Sequence, residues 1–247
     1  MIFGIRAVIE AIEAGKEIDK ILVKKDMTSD LSRELFDAIR GTNITVQRVP
    51  VERINRFTTK NHQGVIAFIP AISYALLGNI VPTLFEEGKT PFVLVLDGIT
   101  DVRNFGAIAR TCECAGVHCI VIPKSGSVTV SGDAVKTSAG ALMTLPVCRE
   151  NSLKETLRYL KNSGFRLVAA TEKGSASYTE VSYTDPVAII MGSEDTGVAP
   201  EHLKMCDDLV SIPLLGKIGS LNVSVAAGVM MYEAVRQRTL LNPEQNL

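Results

Sequence analysis

Asn104, Arg110, Glu194 and Asn222 are polar residues set beside or within runs that otherwise read as core. Asn104 and Arg110 belong to Asn104-Phe105-Gly106-Ala107-Ile108-Ala109-Arg110, and Asn222 to Ser220-Leu221-Asn222-Val223-Ser224-Val225-Ala226. Glu194 follows the apolar run Val187-Ala188-Ile189-Ile190-Met191, which stops at Gly192-Ser193-Glu194-Asp195-Thr196-Gly197. Two carboxamides, a carboxylate and a guanidinium supply the donors, acceptors and fixed cation that orient a polar substrate or grip a phosphate. An apolar run that ends in glycine and a carboxylate reads as a strand opening onto a ligand-binding loop.

The elements that position these residues follow from pattern. From Pro91 onward, near-continuous apolar runs at Phe92–Leu96, Cys119–Ile122, Leu167–Ala170, Val187–Met191 and Leu209–Pro213 predict strands buried on both faces. Helical patterns fall between them at Gly106–Ala115, Asp133–Ala139, Ser152–Asn162 and Pro200–Met205, with a last helix from about Asn222 to Leu240. That alternation predicts an α/β fold with a parallel sheet covered on both sides. Ligands of such sheets sit outside the carboxyl ends of the strands, and three ends gather unusual residues. Leu96 leads to Asp97-Gly98, Asn104, Gly106 and Arg110; Met191 to Gly192, Glu194 and Gly197; Ile212-Pro213 through Leu214, Gly216 and Gly219 to Ser220-Leu221-Asn222. Three loops at one edge predict one pocket. G-x-G-x-x-G after the first strand and the P-loop lysine motif are both absent, which disfavours an ordinary dehydrogenase or NTPase. Glycines in two separate loops suit a ligand held by backbone N–H and C=O groups.

Residues 1–70 read as a smaller α/β unit, with helix Arg6–Ala14, strand Lys20–Lys25, helix Asp30–Arg40, and strands Ile44–Val49 and Gly64–Ile69. Pro70, Gly78, Pro82 and Gly88 mark a linker over 71–90, and a second domain over 91–247. The first part of the last helix is apolar nearly all round and predicted buried; it turns polar at Glu233, Arg236, Gln237 and Arg238. The tail Asn242–Leu247 is expected to fray.

The chain has 247 residues, 46% of them hydrophobic, enough for a large core. Its apolar stretches are too short or too broken to span a bilayer, and the N-terminus lacks the basic start and apolar core of a secretory signal. These readings predict a cytoplasmic protein that does not enter membranes. Five cysteines without paired spacing read as free thiols, and His62, His118 and His202 complete no zinc pattern, so no metal is expected. The formal charge is −1, yet residues 1–70 carry 11 Lys/Arg against 9 Asp/Glu. Lys20, Lys24, Lys25, Arg48, Arg53, Arg56 and Lys60 are placed there to form a patch facing phosphates, or simply to solvate a surface. His62 reads first as a structural hydrogen-bonder and second as a contact to RNA.

Taken in order, the three motifs resemble those of the SpoU (TrmH-like) RNA 2′-O-ribose methyltransferases of the SPOUT superfamily. Asn104 to Arg110 matches the first, Ile190-Met191-Gly192-Ser193-Glu194 the second, and Ile212-Pro213 through Ala226 the third. Gly4-Ile5-Arg6-Ala7-Val8 and His62-Gln63-Gly64-Val65-Ile66-Ala67 look like the family's N-terminal substrate-binding domain, so the resemblance spans nearly the whole chain. It implies a deep trefoil knot in the C-terminal domain, forming both the cofactor pocket and the interface of a homodimer. Pattern alone rejects such a knot.

The resemblance implies S-adenosyl-L-methionine as cofactor, held through main-chain contacts at Gly192, Ile212 and Leu221, with Leu214 and Gly216 lining the slot. It implies RNA as partner, most similar to the branch that methylates a guanosine ribose of 23S ribosomal RNA, with tRNA-modifying relatives as competitors. A catalytically silent RNA-binding or ribosome-assembly protein of the same fold is the alternative from another class. Arg110 takes the catalytic role, with Asn104, Glu194 and Asn222 holding it and the incoming ribose in register. A guanidinium with a pKa above about 12 is no base on its own. Either a substrate phosphate helps Arg110 act as base, or Arg110 clamps that phosphate and polarises the hydroxyl while water takes the proton. The bland alternative is a stabilising Arg110–Glu194 ion pair. Ser220 and Ser224 are candidates to cap the last helix. Asp195-Thr196 departs from the family pattern and is expected to reshape the loop.

Overall fold

The computed structural model describes residues 1–241, and the tail 242–247 lies outside the described residues. The chain divides into two units, Met1–Ser73 and the remainder from Tyr74.

In chain order the first unit comprises β1 (Ile2–Phe3), α1 (Ile5–Glu13), β2 (Lys20–Lys24), α2 (Asp30–Ile39), β3 (Thr45–Val49), α3 (Val51–Asn55) and β4 (Val65–Phe68). The strands form one sheet in the order β1-β4-β2-β3, with β2 and β3 parallel and the other pairs antiparallel. Alternation sends Ile21, Val23, Val65 and Ala67 to one face, where α1 and α2 cover them with Ile5, Val8, Ile9 and Leu35. The opposite face carries Leu22, Val49 and Ile66, covered by Ile54 of the five-residue α3. Ser29 caps α2 by accepting from Ser32 N.

The second unit runs α4 (Leu77–Glu86), β5 (Phe92–Asp97), α5 (Val102–Cys114), β6 (Cys119–Pro123), α6 (Gly132–Thr137), a 3-10 turn at Ala141–Met143, and β7 (Val147–Glu150). It continues through α7 (Leu153–Asn162), β8 (Arg166–Ala170), β9 (Ala176–Ser177), β10 (Val187–Gly192), α8 (Pro200–Leu203), β11 (Asp208–Ser211) and α9 (Val223–Leu241). Among the described residues its seven strands form a parallel sheet ordered β7-β6-β5-β10-β8-β11-β9. Residues of β5 and β10 are almost wholly buried, as the apolar runs predicted.

Two expectations shift. The segment read as a linker, 71–90, holds α4, whose Leu77 and Val81 are buried in the second unit's core with Leu157 and Phe165. Its Gly78 and Pro82 masked an apolar face. Helix α5 begins at Val102 rather than Gly106, because the Asp101 carboxylate accepts from Asn104 N at 2.8 Å and starts the helix a turn earlier. Asn104 therefore sits in the first turn of α5. Strand β7 and the short β1, α3 and β9 had no strong pattern signal.

The polar end of α9 is also not a solvated face throughout. Glu233 is buried, and its carboxylate accepts from Arg236 Nε at 2.8 Å, Arg236 Nη2 at 2.7 Å and Gln237 Nε2 at 2.8 Å. Arg238 donates to four carbonyls, those of Thr90, Pro91, Tyr183 and Asp185. That end of the helix fastens the chain just before β5 to the chain just before β10.

Candidate active site

Asn104, Glu194 and Asn222, one from each of the three motifs, meet near the carboxyl edge of β5 and β10, whose ends pair at Gly192 and Asp97. Glu194 Oε1 accepts from Asn104 Nδ2 at 3.0 Å, Asn222 Nδ2 at 2.7 Å and the main-chain N of Val223 at 3.2 Å. Asn222 Nδ2 also donates to Asn104 Oδ1 at 3.0 Å. One carboxylate oxygen thus gathers donors from the start of α5 and the start of α9. Glu194 Oε2 makes no hydrogen bond among the described residues. Three donors to one carboxylate oxygen fix its orientation.

Local structure explains the convergence. Asn222 is the cap of α9: its carbonyl accepts from Ala226 N, and its Oδ1 accepts from Ser224 N at 2.9 Å and from Ser224 Oγ at 2.5 Å. Asn222, and neither Ser220 nor Ser224, therefore caps the helix. The Glu194 loop is tight because Gly192 has no side chain: a Cβ there would lie 2.0 Å from Gly197 C and Val198 N. Gly197 N donates to Ser193 O at 2.9 Å, and Ser193 Oγ lies 2.8 Å from Thr196 Oγ1. Thr196 of the divergent Asp195-Thr196 pair thus closes the turn. Gly197, with φ of +66°, supplies the left-handed backbone that closure needs.

Sequence reasoning missed the pair beneath this loop. Asp97 Oδ2 accepts from Ala199 N at 2.8 Å and lies 2.7 Å from His202 Nδ1, tying the loop's return and α8 to the end of β5. Beside them a cavity of about 540 Å³ is lined by Ser125, Asn151, Ser152 and Lys154. A carboxylate at a strand end was visible in the sequence; its histidine, 105 residues on, was not. Gly174 was missed too: a Cβ on it would lie 2.3 Å from Val210 C, so only glycine lets the turn after β8 pass the end of β11.

Arg110 is not drawn into the cluster. It is exposed and its side chain makes no hydrogen bond or ion pair among the described residues, so the alternative of an Arg110–Glu194 ion pair does not form, nor do Asn104, Glu194 and Asn222 hold the guanidinium. Helical geometry gives the reason: six residues rotate Arg110 about 120° away from Asn104 and carry it about 9 Å along α5.

The remaining candidates lie on the segment 212–221. From Pro213 to Leu221 it is exposed, with Leu215 at 99% and Ile218 at 79% of full accessibility, and Leu214 and Leu221 partly exposed. No main-chain or side-chain group from Ile212 to Leu221 hydrogen-bonds within the described residues. Free N–H and C=O groups beside apolar side chains fit a ligand with a polar, hydrogen-bonding half and an apolar contact surface, as a nucleoside joined to a sulfonium has. Gly216 has nothing within 4 Å of a built Cβ, so packing does not require it. All five cysteines are free thiols. Among the described residues no cluster of His, Cys, Asp or Glu is arranged to hold a metal, and no helix is long and apolar enough to cross a membrane.

Comparison with known proteins joins these features. Residues 91–232 match the model of the SpoU rRNA Methylase family, and residues 1–75 that of the RNA 2′-O ribose methyltransferase substrate binding domain. A putative TrmH family tRNA/rRNA methyltransferase of Staphylococcus saprophyticus is 36% identical over 98% of this chain and 97% of its own length. The crystal structure of an AdoMet-bound rRNA methyltransferase from Sinorhizobium meliloti covers 95% of this chain and 86% of its own, at 27% identity and a TM-score of 0.61. A TrmH/SpoU tRNA modifying enzyme from A. aeolicus is 30% identical, with a TM-score of 0.57, over 67% of this chain and 85% of its own.

Proposed function

The chain belongs to the SpoU methylase family, S-adenosylmethionine-dependent RNA 2′-O-ribose methyltransferases with an α/β-knot C-terminal unit, and we propose that its substrate is a guanosine ribose of 23S ribosomal RNA. Supporting ribosomal RNA over tRNA, the rRNA methyltransferase neighbour covers 95% of the chain, whereas the tRNA modifying neighbour covers 67%. The observation that carries the catalytic reading is the junction of Asn104, Glu194 and Asn222, three motifs held on one carboxylate oxygen.

S-adenosylmethionine, when bound, supplies an electrophilic sulfonium methyl group. Main-chain groups at Gly192, Ile212 and Leu221 would hold it, with Leu214 and Gly216 along its slot. Glu194, clamped through Oε1, keeps Oε2 for the substrate side, and Asn104 and Asn222 fix its direction. Arg110, whose side chain has no partner among the described residues, is set to take a substrate phosphate and polarise the 2′-hydroxyl. A guanidinium is no base alone, so the proton leaves to that phosphate or to water.

The working form we propose is a homodimer in the cytoplasm, where its RNA substrate lies. Support comes from the apolar surface left on Leu215, Ile218, Val225 and Tyr232, and from the separation of Arg110 from the other three residues, which a second copy would complete. Methyl transfer from labelled S-adenosylmethionine to total RNA of a strain lacking the gene, with the product mapped, tests the reading. One labelled ribose in 23S RNA is the expected result. Label in tRNA would move the chain to the tRNA-modifying branch, and no label, with the cofactor bound, would favour a silent RNA-binding protein.

A further inference from the structure

The substrate-binding unit exposes one face of its sheet in an unusual way. Strand pairing places Phe3 opposite Ile66, and Lys20 opposite Phe68, on the face that also bears Leu22. The other face lies under two full helices; within this unit α3 is the helix that packs on this one. Just past α3, Phe57 packs edge-on against Phe68, with ring centroids 5.0 Å apart and planes at 78°, yet keeps 46% of its surface exposed. Lys20 Nζ lies 5.0 Å from the centre of the Phe68 ring and Lys60 Nζ 6.0 Å from that of Phe3. Arg56 is exposed and its side chain makes no hydrogen bond or ion pair among the described residues, and Glu52 is the acidic residue of α3.

Phe57 is not a lone exposed apolar side chain: it continues an aromatic row with Phe68, and ammonium groups lie over the Phe68 and Phe3 rings behind it. A flat aromatic surface with ammonium and guanidinium groups at its margin matches one chemistry closely: an unstacked base beside its own phosphates. We propose that Phe57, with Phe68 and Phe3 behind it, is a stacking platform for bases of single-stranded RNA, and that Lys60 and Arg56 neutralise the flanking phosphates. The proposal rests on the reading that RNA is the substrate. It adds that this unit takes unpaired nucleotides, since bases within a duplex present no free face to a ring. It also selects one side of the unit, the face under α3, rather than the lysines at large.

Binding of the full chain to a labelled single-stranded RNA of mixed sequence, and to the same RNA annealed to its complement, tests this directly. Phe57→Leu keeps apolar bulk against Phe68 but removes the ring; it is expected to weaken single-strand binding about tenfold, or about 1.4 kcal/mol. Cofactor affinity and melting temperature stay as in the native chain, and Phe57→Tyr restores binding. Lys60→Ala lowers the slope of log affinity against log salt by about 0.7. The chain has no tryptophan, so Phe57→Trp adds a single reporter whose fluorescence is expected to be quenched by single-stranded RNA and not by the duplex. Native affinity in Phe57→Leu, or unquenched fluorescence of Phe57→Trp on RNA that the protein binds, overturns the platform and leaves the methyltransferase reading standing. A native chain that binds and methylates no RNA overturns both.

Discussion

Arg110 and Glu194 differ in what holds them, and their variants should differ accordingly. Glu194 Oε1 receives three N–H donors, so Glu194→Ala takes the acceptor from Asn104 Nδ2 and one N–H of α9 and leaves Asn222 Nδ2 only its bond to Asn104 Oδ1. At a partly exposed site a loss of about 1–2 kcal/mol in stability is expected, together with turnover. The Arg110 side chain has no partner among the described residues, so Arg110→Ala should melt like the native protein and bind S-adenosylmethionine unchanged, while turnover falls at least about a hundredfold. Calorimetry of cofactor binding, thermal melting and methyl transfer on the same pair of variants check both. Unchanged turnover in Arg110→Ala would remove it from the catalytic set. Asn104, Glu194 and Asn222 were legible because each interrupts an apolar run; that their partner is one another rather than Arg110 was not, since the phase of α5 depends on a cap at Asp101. Glu233 was illegible for a related reason, because its burial comes from Arg236 and Gln237 closing over it.

Elements position these side chains through a few backbone constraints. Gly192 ends β10 where a Cβ would fall 2.0 Å from Gly197 and Val198, so the Glu194 loop cannot keep its path around any other residue. Gly192→Ala should lower stability by about 1–3 kcal/mol and weaken S-adenosylmethionine binding more than tenfold, whereas Gly216→Ala, with open space around it, should melt as the native chain does. Differential scanning and cofactor titration separate the two. At the far end of α9, hydrogen bonds from Arg236 hold the Glu233 carboxyl below the usual glutamate range. A lowered folded-state pKa contributes stability that is complete above the unfolded value, about 4.3, and is lost as pH falls through the folded one. Melting below pH 4.5 should therefore be steeper in the native chain than in Glu233→Gln. Strands β5 and β10 were readable as unbroken apolar runs, while α4 was hidden by Gly78 and Pro82, which signal a loop locally but sit here in a helix held by Leu77, Val81 and Leu84.

The molecule as a whole shows where pattern reading stops. Composition and periodicity delivered two α/β units and a parallel sheet, because both follow from spacing along the chain. A knot is a property of threading, which no local spacing encodes, and only the resemblance of the three motifs to a family pointed to it. Assembly lies at the same scale. Val225 and Tyr232 of α9 are about half exposed, and the Leu215 and Ile218 side chains of the preceding segment are nearly bare. One isolated apolar side chain on a surface is ordinary; several on one helix and the loop that leads into it call for a cover. If that cover is a second copy, then Tyr232→Glu should convert a dimer to a monomer in sedimentation while leaving the melting of the first unit unchanged. Methyl transfer should fall with dissociation and recover as protein concentration rises, because Arg110 stands apart from Asn104, Glu194 and Asn222 within one chain. A Tyr232→Glu monomer that kept full activity at every concentration would show instead that one chain brings Arg110 to the ribose by itself.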